Sequence, residues 1–336
     1  QGKKIELNSN EFQGWLEGQF DWETLPQAFQ QVLHTHYPSQ VESPKISLAK
    51  SHFQFDFKTQ YVEPFLQVVS PSITGLNQAQ LAGHFDGRAN TFSTSLRIPH
   101  AGFERYEIDS LVVQSSSDGE KIIVDANSKA IKINEAITLP PLHITINGRH
   151  DSTAFSLYSA SDKRVEKINL NAVINTFHEG VGIKFTNSDF TINGKSWTFN
   201  EGGNLLLQKN NPAKGYLKLT EGEQEIVMQT TEKKQNEPEE LQLKIRQLNL
   251  NDISPYFLPT NRLEGLVSGD FIIKDPLGDL SISSKMIDAK LLRLDNDSIG
   301  EITSNFNYDR KSNTLLAHGN TRNQKEFLGF EVGLFF

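Results

Sequence analysis

SHFQFDFK, residues 51–58, alternates phenylalanines with polar residues and decides the fold class of the chain. Because successive side chains on a β-strand point to opposite faces, Phe53, Phe55 and Phe57 line one face of the predicted strand. Three phenylalanine rings on one face need a cover, which could be a second sheet, a helix, a partner or a lipid. The nature of that cover bears directly on what the protein does.

The same alternation recurs along most of the chain. Further examples are AIKIN (130–134), LHITIN (142–147), DFTIN (189–193), SWTFN (196–200), LQLKIRQLNLN (241–251) and DLSIS (279–283). Asn-Gly and Asp-Gly dipeptides, which favour tight hairpins, separate several of these runs. We therefore predict an all-β protein of roughly twenty strands. Its elongated antiparallel sheet is expected to curl into an open groove, a β-taco, with two or three short helices.

Helical periodicity is scarce and is confined to three segments. The clearest is LPQAFQQVLHTHYP (25–38), whose apolar residues fall on one face of a helix. Shorter candidates are LNAVINTF (170–177) and NDISPYFLP (251–259). Three short helices cannot cover so many strands. The apolar strand faces are therefore expected to contact each other or something foreign.

Composition excludes several classes of function. Of the 336 residues, 37% are hydrophobic and 22% are charged, which is typical of soluble proteins. The sequence contains no run of about 18 apolar residues, so it predicts no transmembrane helix. The net charge of −8 and the lack of a basic run argue against a nucleic-acid partner, and the absence of cysteine excludes disulfides. Both ends fall on strand-like segments, so we expect a piece of a longer protein.

Motifs for catalysis are missing from the sequence. It contains no phosphate-binding glycine loop, no nucleophile elbow and no HExxH motif. Asp275 and Asp279 flank a Pro-Leu-Gly turn between two strand patterns, and they are predicted to form that turn. We expect no catalytic residues, no cofactor and no enzymatic activity.

Two motifs resemble metal sites only in part. His34 and His36 point apart on the predicted helix, so the pair does not predict a shared metal ion. Residues 295–300 resemble the start of a calcium loop, but Ile299 and Phe306 occupy positions five and twelve, where oxygen ligands are required. We therefore expect no metal.

Short repeats suggest an array-like architecture. LEGQF (16–20), LAGHF (81–85) and LVSGDF (266–271) share a pattern, and EPFL (63–66) and SPYFL (254–258) precede two of them. Repeated β units at a long period are typical of elongated folds. We predict one continuous segment over 1–336, with weak repeats over 1–75, 76–240 and 241–336.

Residues 248–319 carry a family resemblance. They include LNLNDISPYFLPTNRLEGLVSGDFIIKDPLGDLSIS and LLRLDNDSIGEITSNFNYDRKSNTLLAHG. This stretch resembles the AsmA-like, TamB-type (translocation and assembly module) family of Gram-negative envelope proteins. EPFL with LAGHFDG, residues 63–87, repeats the pattern more faintly. LVSGDF departs from the repeat by one residue.

The resemblance implies a specific function. Proteins of this family are anchored in the inner membrane, extend through the periplasm and form a groove with an apolar interior. They are thought to conduct phospholipids towards the outer membrane. TamB-type members are also linked to outer-membrane protein assembly with an Omp85-class barrel. On this basis the chain is expected to shield phospholipid acyl chains.

Residues are assigned to the lipid-groove face by residue parity alone, that is, by whether they fall at odd or even positions along their strand. The candidates are Phe53, Phe55, Phe57, Ile131, Ile133, Ile144, Ile146, Trp197, Phe199, Leu243 and Ile245. On this hypothesis, Phe55→Asp leaves a folded protein that has lost bound lipid. Two alternatives stay open. One is a β-sandwich binding or structural module, adhesin-like or carbohydrate-binding, in which sheets cover each other; the other is a β-helical polysaccharide hydrolase.

Overall fold

The chain is built almost entirely of antiparallel β-strands, as the alternating sequence predicts. The computed structural model describes residues 2–22, 25–104, 106–134, 137–160, 165–209, 211–231, 240–254, 258, 261–322 and 327–335. These residues include 23 strands and three short helices, which confirms the all-β class. The chain divides into two compact units, unit 1 (residues 1–178) and unit 2 (residues 179–336).

Unit 1 contains two of the helices, α1 (Leu25–His36) and α2 (Glu63–Val69). Its strands are β1 (Lys3–Asn8), β2 (Phe12–Gln19), β3 (His52–Thr59), β4 (Ile73–Gly75), β5 (Gln80–Asp86), β6 (Thr91–Phe103), β7 (Tyr106–Ser117), β8 (Ile122–Ser128), β9 (Ala130–Asn134), β10 (Ile137–Leu139), β11 (Leu142–Arg149), β12 (Ser152–Ala160) and β13 (Val165–Phe177).

The strands of unit 1 form a continuous antiparallel ladder. Its order is β1-β2-β3-β5-β6-β7-β8-β11-β12-β13. Three short strands attach beside it, with β4 pairing β6, β9 pairing β7 and β10 pairing β9. Side chains opposite each other in this ladder share a face of the sheet. Long cross-strand rows therefore run from β1 to β13.

Unit 2 contains one helix among its described residues, α3 (Leu250–Ile253). Its strands are β14 (Gly180–Ile192), β15 (Lys195–Gln208), β16 (Lys214–Glu221), β17 (Gln224–Thr230), β18 (Leu241–Asn249), β19 (Leu263–Lys274), β20 (Ser281–Leu294), β21 (Asp297–Asp309), β22 (Thr314–Arg322) and β23 (Phe327–Phe335). From β14 to β23, each strand pairs antiparallel with the next one in the chain.

The helix predictions had mixed outcomes. The segment at 25–38 is α1, and the one at 251–259 overlaps α3, with residues 255–257 and 259 outside the described part. The helix predicted at LNAVINTF was wrong, because residues 170–177 belong to β13, which pairs with β12. Leu170, Ala172 and Ile174 alternate there, so this segment fits a strand as well as a helix.

The core of unit 1 lies beneath α1. Ala28 and Val32, one turn apart, are buried on the face of α1 that meets the sheet. Opposite them in the same cluster are Phe85 and Phe92, which face each other across β5 and β6. The ring of Phe29 packs edge-on against Phe92, with centroids 5.2 Å apart. The amphipathic helix thus covers apolar residues of β3, β5 and β6.

Candidate functional site

Of the three phenylalanines along β3, two are covered and one is not. Phe53 and Phe55 are 5% and 7% exposed and belong to the core beneath α1, whereas Phe57 is 37% exposed. The ring of Phe53 also packs at a tilt against the ring of Phe85, with centroids 5.3 Å apart. In unit 1 the cover over the first two rings is therefore the chain's own helix. Only Phe57 remains accessible to a ligand.

Polar contacts fasten the segment after α1 to the sheet. The Tyr37 hydroxyl lies 2.9 Å from the Thr153 hydroxyl, and the Ser39 hydroxyl donates to an Asp151 carboxylate oxygen at 2.7 Å. Gly148 makes room for this arrangement, since a Cβ there would lie 2.1 Å from the Tyr37 hydroxyl oxygen. The helix cover is thus held by specific bonds as well as by apolar contact.

His36 ends α1 as a fully buried histidine. Its Nε2 lies 2.8 Å from the Ser117 hydroxyl, and no described group hydrogen-bonds to its Nδ1. Burial lowers the pKa of His36 below 6.5, and nearby His150 acts in the same direction, while Asp118 opposes the shift. The neutral imidazole is therefore the form that the folded core holds.

Acidification is expected to destabilise unit 1 through His36. Because the folded-state pKa lies below 6.5, the unfolded chain binds the extra proton more readily. Stability is then complete above pH 6.5 and falls as the pH drops from 6.5 towards the folded-state pKa. We expect the Tm of the wild type to fall over this range more than that of His36→Gln. Equal dependence in His36→Gln and the wild type would contradict the assignment.

An apolar pocket lies beside Phe57, the one of the three β3 phenylalanines that α1 does not cover. It has a volume of about 130 Å³ and is lined chiefly by Leu7, Phe12, Phe57, Leu81 and Leu96. Four of these share one cross-strand row, in which Leu7 is separated from Phe57 by Gly14. We call this feature the Phe57 pocket.

The other candidates in unit 1 lie further along the ladder. Ile144 shares the row of Phe57, and Ile146 shares the row of Phe55, so parity placed these residues on one face. Both isoleucines are half-buried. Ile131 and Ile133 are also half-buried but lie on β9, where Ile131 opposes Ile108 and Leu139. They belong to the side strands rather than to the rows of β3.

Unit 2 carries two long apolar rows on one face of its sheet. The Leu243 row consists of Leu217, Met228, Leu243, Phe271, Ser284, Phe306, Ala317 and Val332. The Ile245 row consists of Phe199, Leu219, Ile226, Ile245, Gly269, Ile287, Ser304, Gly319 and Phe330. We call both rows together the unit 2 apolar face.

Most large side chains of this face are only half-buried. Leu243 and Ile245, predicted from the sequence, have this intermediate exposure, and so does Phe306. Phe271 is buried, whereas Val332 is exposed. The face therefore differs from the closed core beneath α1, because it presents partly accessible apolar surface over eight consecutive strands, β16 to β23.

Aromatic residues cluster at the β14–β15 end of unit 2. Phe190 opposes Trp197 across the hairpin, and their rings stack at 6.0 Å with an angle of 9°. Phe185 stacks on Phe199 at 5.2 Å. Trp197 is buried and Phe199 half-buried, so the two predicted residues belong to this cluster. Trp197 serves as packing rather than as accessible surface.

The opposite face of unit 2 carries ion pairs together with apolar side chains, among them Val227, Met286 and Leu316. Lys218 pairs with Glu225 at 2.6 Å, and Arg246 pairs with Asp270 at 2.8 Å. These residues alternate along the strands with those of the unit 2 apolar face. The two faces therefore differ: one carries the two long apolar rows, whereas the other mixes ion pairs with apolar side chains.

The weak motifs occupy turns. The Asp275 carboxylate accepts a hydrogen bond from the backbone N–H of Asp279 at 2.8 Å, within the β19–β20 connection. Asp295 lies in the β20–β21 turn, and its carboxylate accepts from the Arg262 N–H at 2.7 Å, which lowers its pKa.

The described residues contain no group of three His, Asp or Glu side chains placed to hold a metal ion. No helix among them is long and apolar enough to cross a bilayer.

Comparison with known proteins gave no relative. No family model, no curated protein and no solved structure matches the chain.

Sequence parity missed several residues of both surfaces. Leu81 and Leu96 line the Phe57 pocket, and Phe271 and Phe306 lie in the Leu243 row. Each occupies a strand whose apolar residues recur at every second position, so the signal was present. It was diluted by glycine and serine at neighbouring positions of the same face, such as Ser284.

Proposed function

We propose that the chain is a non-enzymatic, lipid-conducting segment that shields phospholipid acyl chains on the unit 2 apolar face. The observation that carries the proposal is the pair of in-register apolar rows that run across eight strands and stay half-exposed. Acyl chains have no polar groups to satisfy, so a face without directed hydrogen bonds suits them. Each of the eight strands contributes at least one apolar residue to the two rows, and glycine or serine occupies four positions between them.

The energetics favour an apolar occupant. Covering apolar surface stabilises by roughly 25 cal/mol per Å². Each half-buried leucine, isoleucine or phenylalanine of the two rows keeps part of that free energy unrealised in the unliganded protein. An acyl chain recovers it without an ordered partner surface. The ion pairs of the opposite face keep that side of the sheet in water.

The family resemblance extends the proposal to the cell. It supports a periplasmic location, with the full-length protein anchored in the inner membrane, and transport of phospholipid towards the outer membrane. A link to outer-membrane protein assembly through an Omp85-class barrel belongs to the same proposal. No nucleic-acid partner is proposed, in keeping with the net charge of −8.

Photo-crosslinking tests the proposal on paired positions. We expect p-benzoylphenylalanine in place of Phe306 or Leu243 to capture phospholipid when the protein is illuminated with phosphatidylglycerol vesicles. The same residue in place of Asn307 or Gln242, the neighbours on the opposite face, should capture little. The lipid adduct is measured by intact-protein mass spectrometry.

Each control position shares its strand with a test position, so local stability and label chemistry are matched. Equal capture on both faces would indicate nonspecific contact and overturn the proposal. Absence of adducts on the apolar face would do the same and would favour a closed binding or structural module.

A further inference from the structure

Helix α1 is an excursion between two strands that pair directly with each other. β2 and β3 are joined from the Phe12–Thr59 pair to the Gln19–His52 pair, and α1 lies in the intervening residues 20–51. The pairing of β2 with β3 thus needs no contribution from α1. If α1 moved away from the sheet, this ladder could stay closed, while the apolar core beneath the helix would lose its cover.

The face that α1 presents to the sheet is narrow. Its buried residues are Ala28, Val32 and His36, which recur at every fourth position and so lie on one side of the helix. Phe29 and Leu33, beside this stripe, are each 43% exposed. The buried face of α1 therefore consists of two small apolar side chains and one imidazole. The protonation state of His36 consequently weighs heavily on whether α1 stays docked.

His36 has no described partner for a second proton. Its Nε2 lies 2.8 Å from the Ser117 hydroxyl, and no described group hydrogen-bonds to its Nδ1. A neutral ring can leave Nδ1 without a proton, but an imidazolium carries an N–H at both nitrogens. Acid therefore places a charge and an unsatisfied donor in the core where α1 meets β7. Water satisfies both once the helix has left the sheet.

The carboxylates near this imidazole are already engaged. That of Asp118 accepts hydrogen bonds from the backbone N–H groups of Glu120 and Lys121, both at 3.0 Å. That of Asp151 accepts from the Ser39 hydroxyl at 2.7 Å. Neither carboxylate forms an ion pair with the imidazole among the described residues. The docked helix therefore offers a second proton only weak, indirect compensation.

The remaining titratable groups at this contact are histidines. His150, in the connection between β11 and β12, disfavours a positive charge on His36. His34 is engaged within its own segment, since its Nδ1 lies 2.6 Å from the Val41 carbonyl oxygen. Helix α1 contains no Asp, Glu, Lys or Arg. His36 is thus the one titratable group on the buried face of α1.

From this geometry we propose that α1 is an acid-released cover over the aromatic core of unit 1. Protonation of His36 frees α1 from β7, while the ladder from β2 to β8 keeps its pairing. Release uncovers Phe53 and Phe55, which then join Phe57 on one accessible face of β3. The device is independent of the proposed lipid function, because it concerns how unit 1 opens rather than what the protein binds.

Amide hydrogen exchange at about pH 7.5 and about pH 5.5, one unit on either side of 6.5, tests the proposal. Rates are divided by the intrinsic exchange rates at each pH, so that protection factors are compared. We expect lower protection for the α1 amides than for those of β6 and β7, because the helix opens without the strands. On acidification the α1 protection should fall several-fold. The limit is about tenfold for a group whose pKa is 6.5 in the open form alone.

Two variants separate the titration of His36 from a general loosening of α1. His36→Gln can still donate a hydrogen bond but does not titrate, so its α1 protection should be the same at both pH values. Tyr37→Phe removes the bond to the Thr153 hydroxyl. It should lower α1 protection at both pH values and keep the wild-type ratio between them.

The wild type alone can overturn the proposal, whether or not His36→Gln folds. Equal protection of α1 and of the β6 and β7 amides would show that unit 1 opens only as a whole. An α1 protection factor that does not change with pH would show that His36 does not control the helix. An undiminished pH dependence in folded His36→Gln would assign the response to another group and would likewise refute the acid-released cover.

Discussion

Phe55→Asp is expected to unfold unit 1, whereas Phe57→Asp on the same strand and face is expected to leave it folded. Phe55 is packed in the closed core beneath α1, and Phe57 lies outside that cover. Truncating a buried phenylalanine alone costs about 3–5 kcal/mol. A buried unpaired carboxylate adds several more, and the total approaches the roughly 5–15 kcal/mol that stabilises a typical domain.

Urea unfolding reports this difference in unit 1. Trp15 lies in β2 between β1 and β3, so its fluorescence follows the affected strands. The measurement is made in a Trp22→Phe, Trp197→Phe background, which leaves Trp15 as the single tryptophan. A folded Phe55→Asp variant of wild-type stability would show that the core beneath α1 is open. That result would restore the sequence-based expectation that Phe55 contacts lipid.

Asp252→Ala is expected to destabilise unit 2 by about 2–3 kcal/mol. The Asp252 carboxylate is buried and lies 2.7 Å from Nζ of Lys195, so the substitution removes the only ion pair formed by α3 among the described residues. The cost lies below the roughly 3–5 kcal/mol of a fully buried pair, because Lys195 is 31% exposed and its ammonium can return to water.

A surface pair provides the control for this second prediction. Asp270→Ala removes the partner of Arg246 on the polar face of β19, and both side chains there are well exposed. Its expected cost is below about 1 kcal/mol. Unfolding of unit 2 is followed by the fluorescence of Trp197, which is buried, in a Trp15→Phe, Trp22→Phe background. Equal losses for the two aspartates would mean that α3 contributes no more than a surface contact.

Residue parity proved a good guide to the faces of the sheet and a poor guide to what covers them. Period-two alternation placed these residues on one face, and the ladder of unit 1 puts Phe55 in one row with Ile146 and Phe57 in one row with Ile144. The cover of Phe55 comes from α1, a helix that precedes β3 by many residues. Such a non-local contact leaves no mark in the alternation itself.

Helix assignments failed where the segment was short or where its apolar residues fitted two periods. The segment LNAVINTF has apolar residues at spacings that suit both a helix and a strand, and pairing with β12 decided in favour of the strand. EPFLQVV forms α2, a helix of seven residues, a length at which apolar spacing does not distinguish a helix from a strand. Pro64 near the start is the remaining local signal for that helix.

The consecutive pairing of β14 to β23 also bears on how unit 2 folds and on how its number of strands can change in evolution. Each strand pairs with the next one in the chain, so the contact order of the ladder is low and the entropic cost of bringing partners together is small. Folding can start at any hairpin and propagate in both directions. A duplicated hairpin would disturb only the two strands at the junction. Stepwise duplication is therefore a low-cost evolutionary route to a longer apolar path.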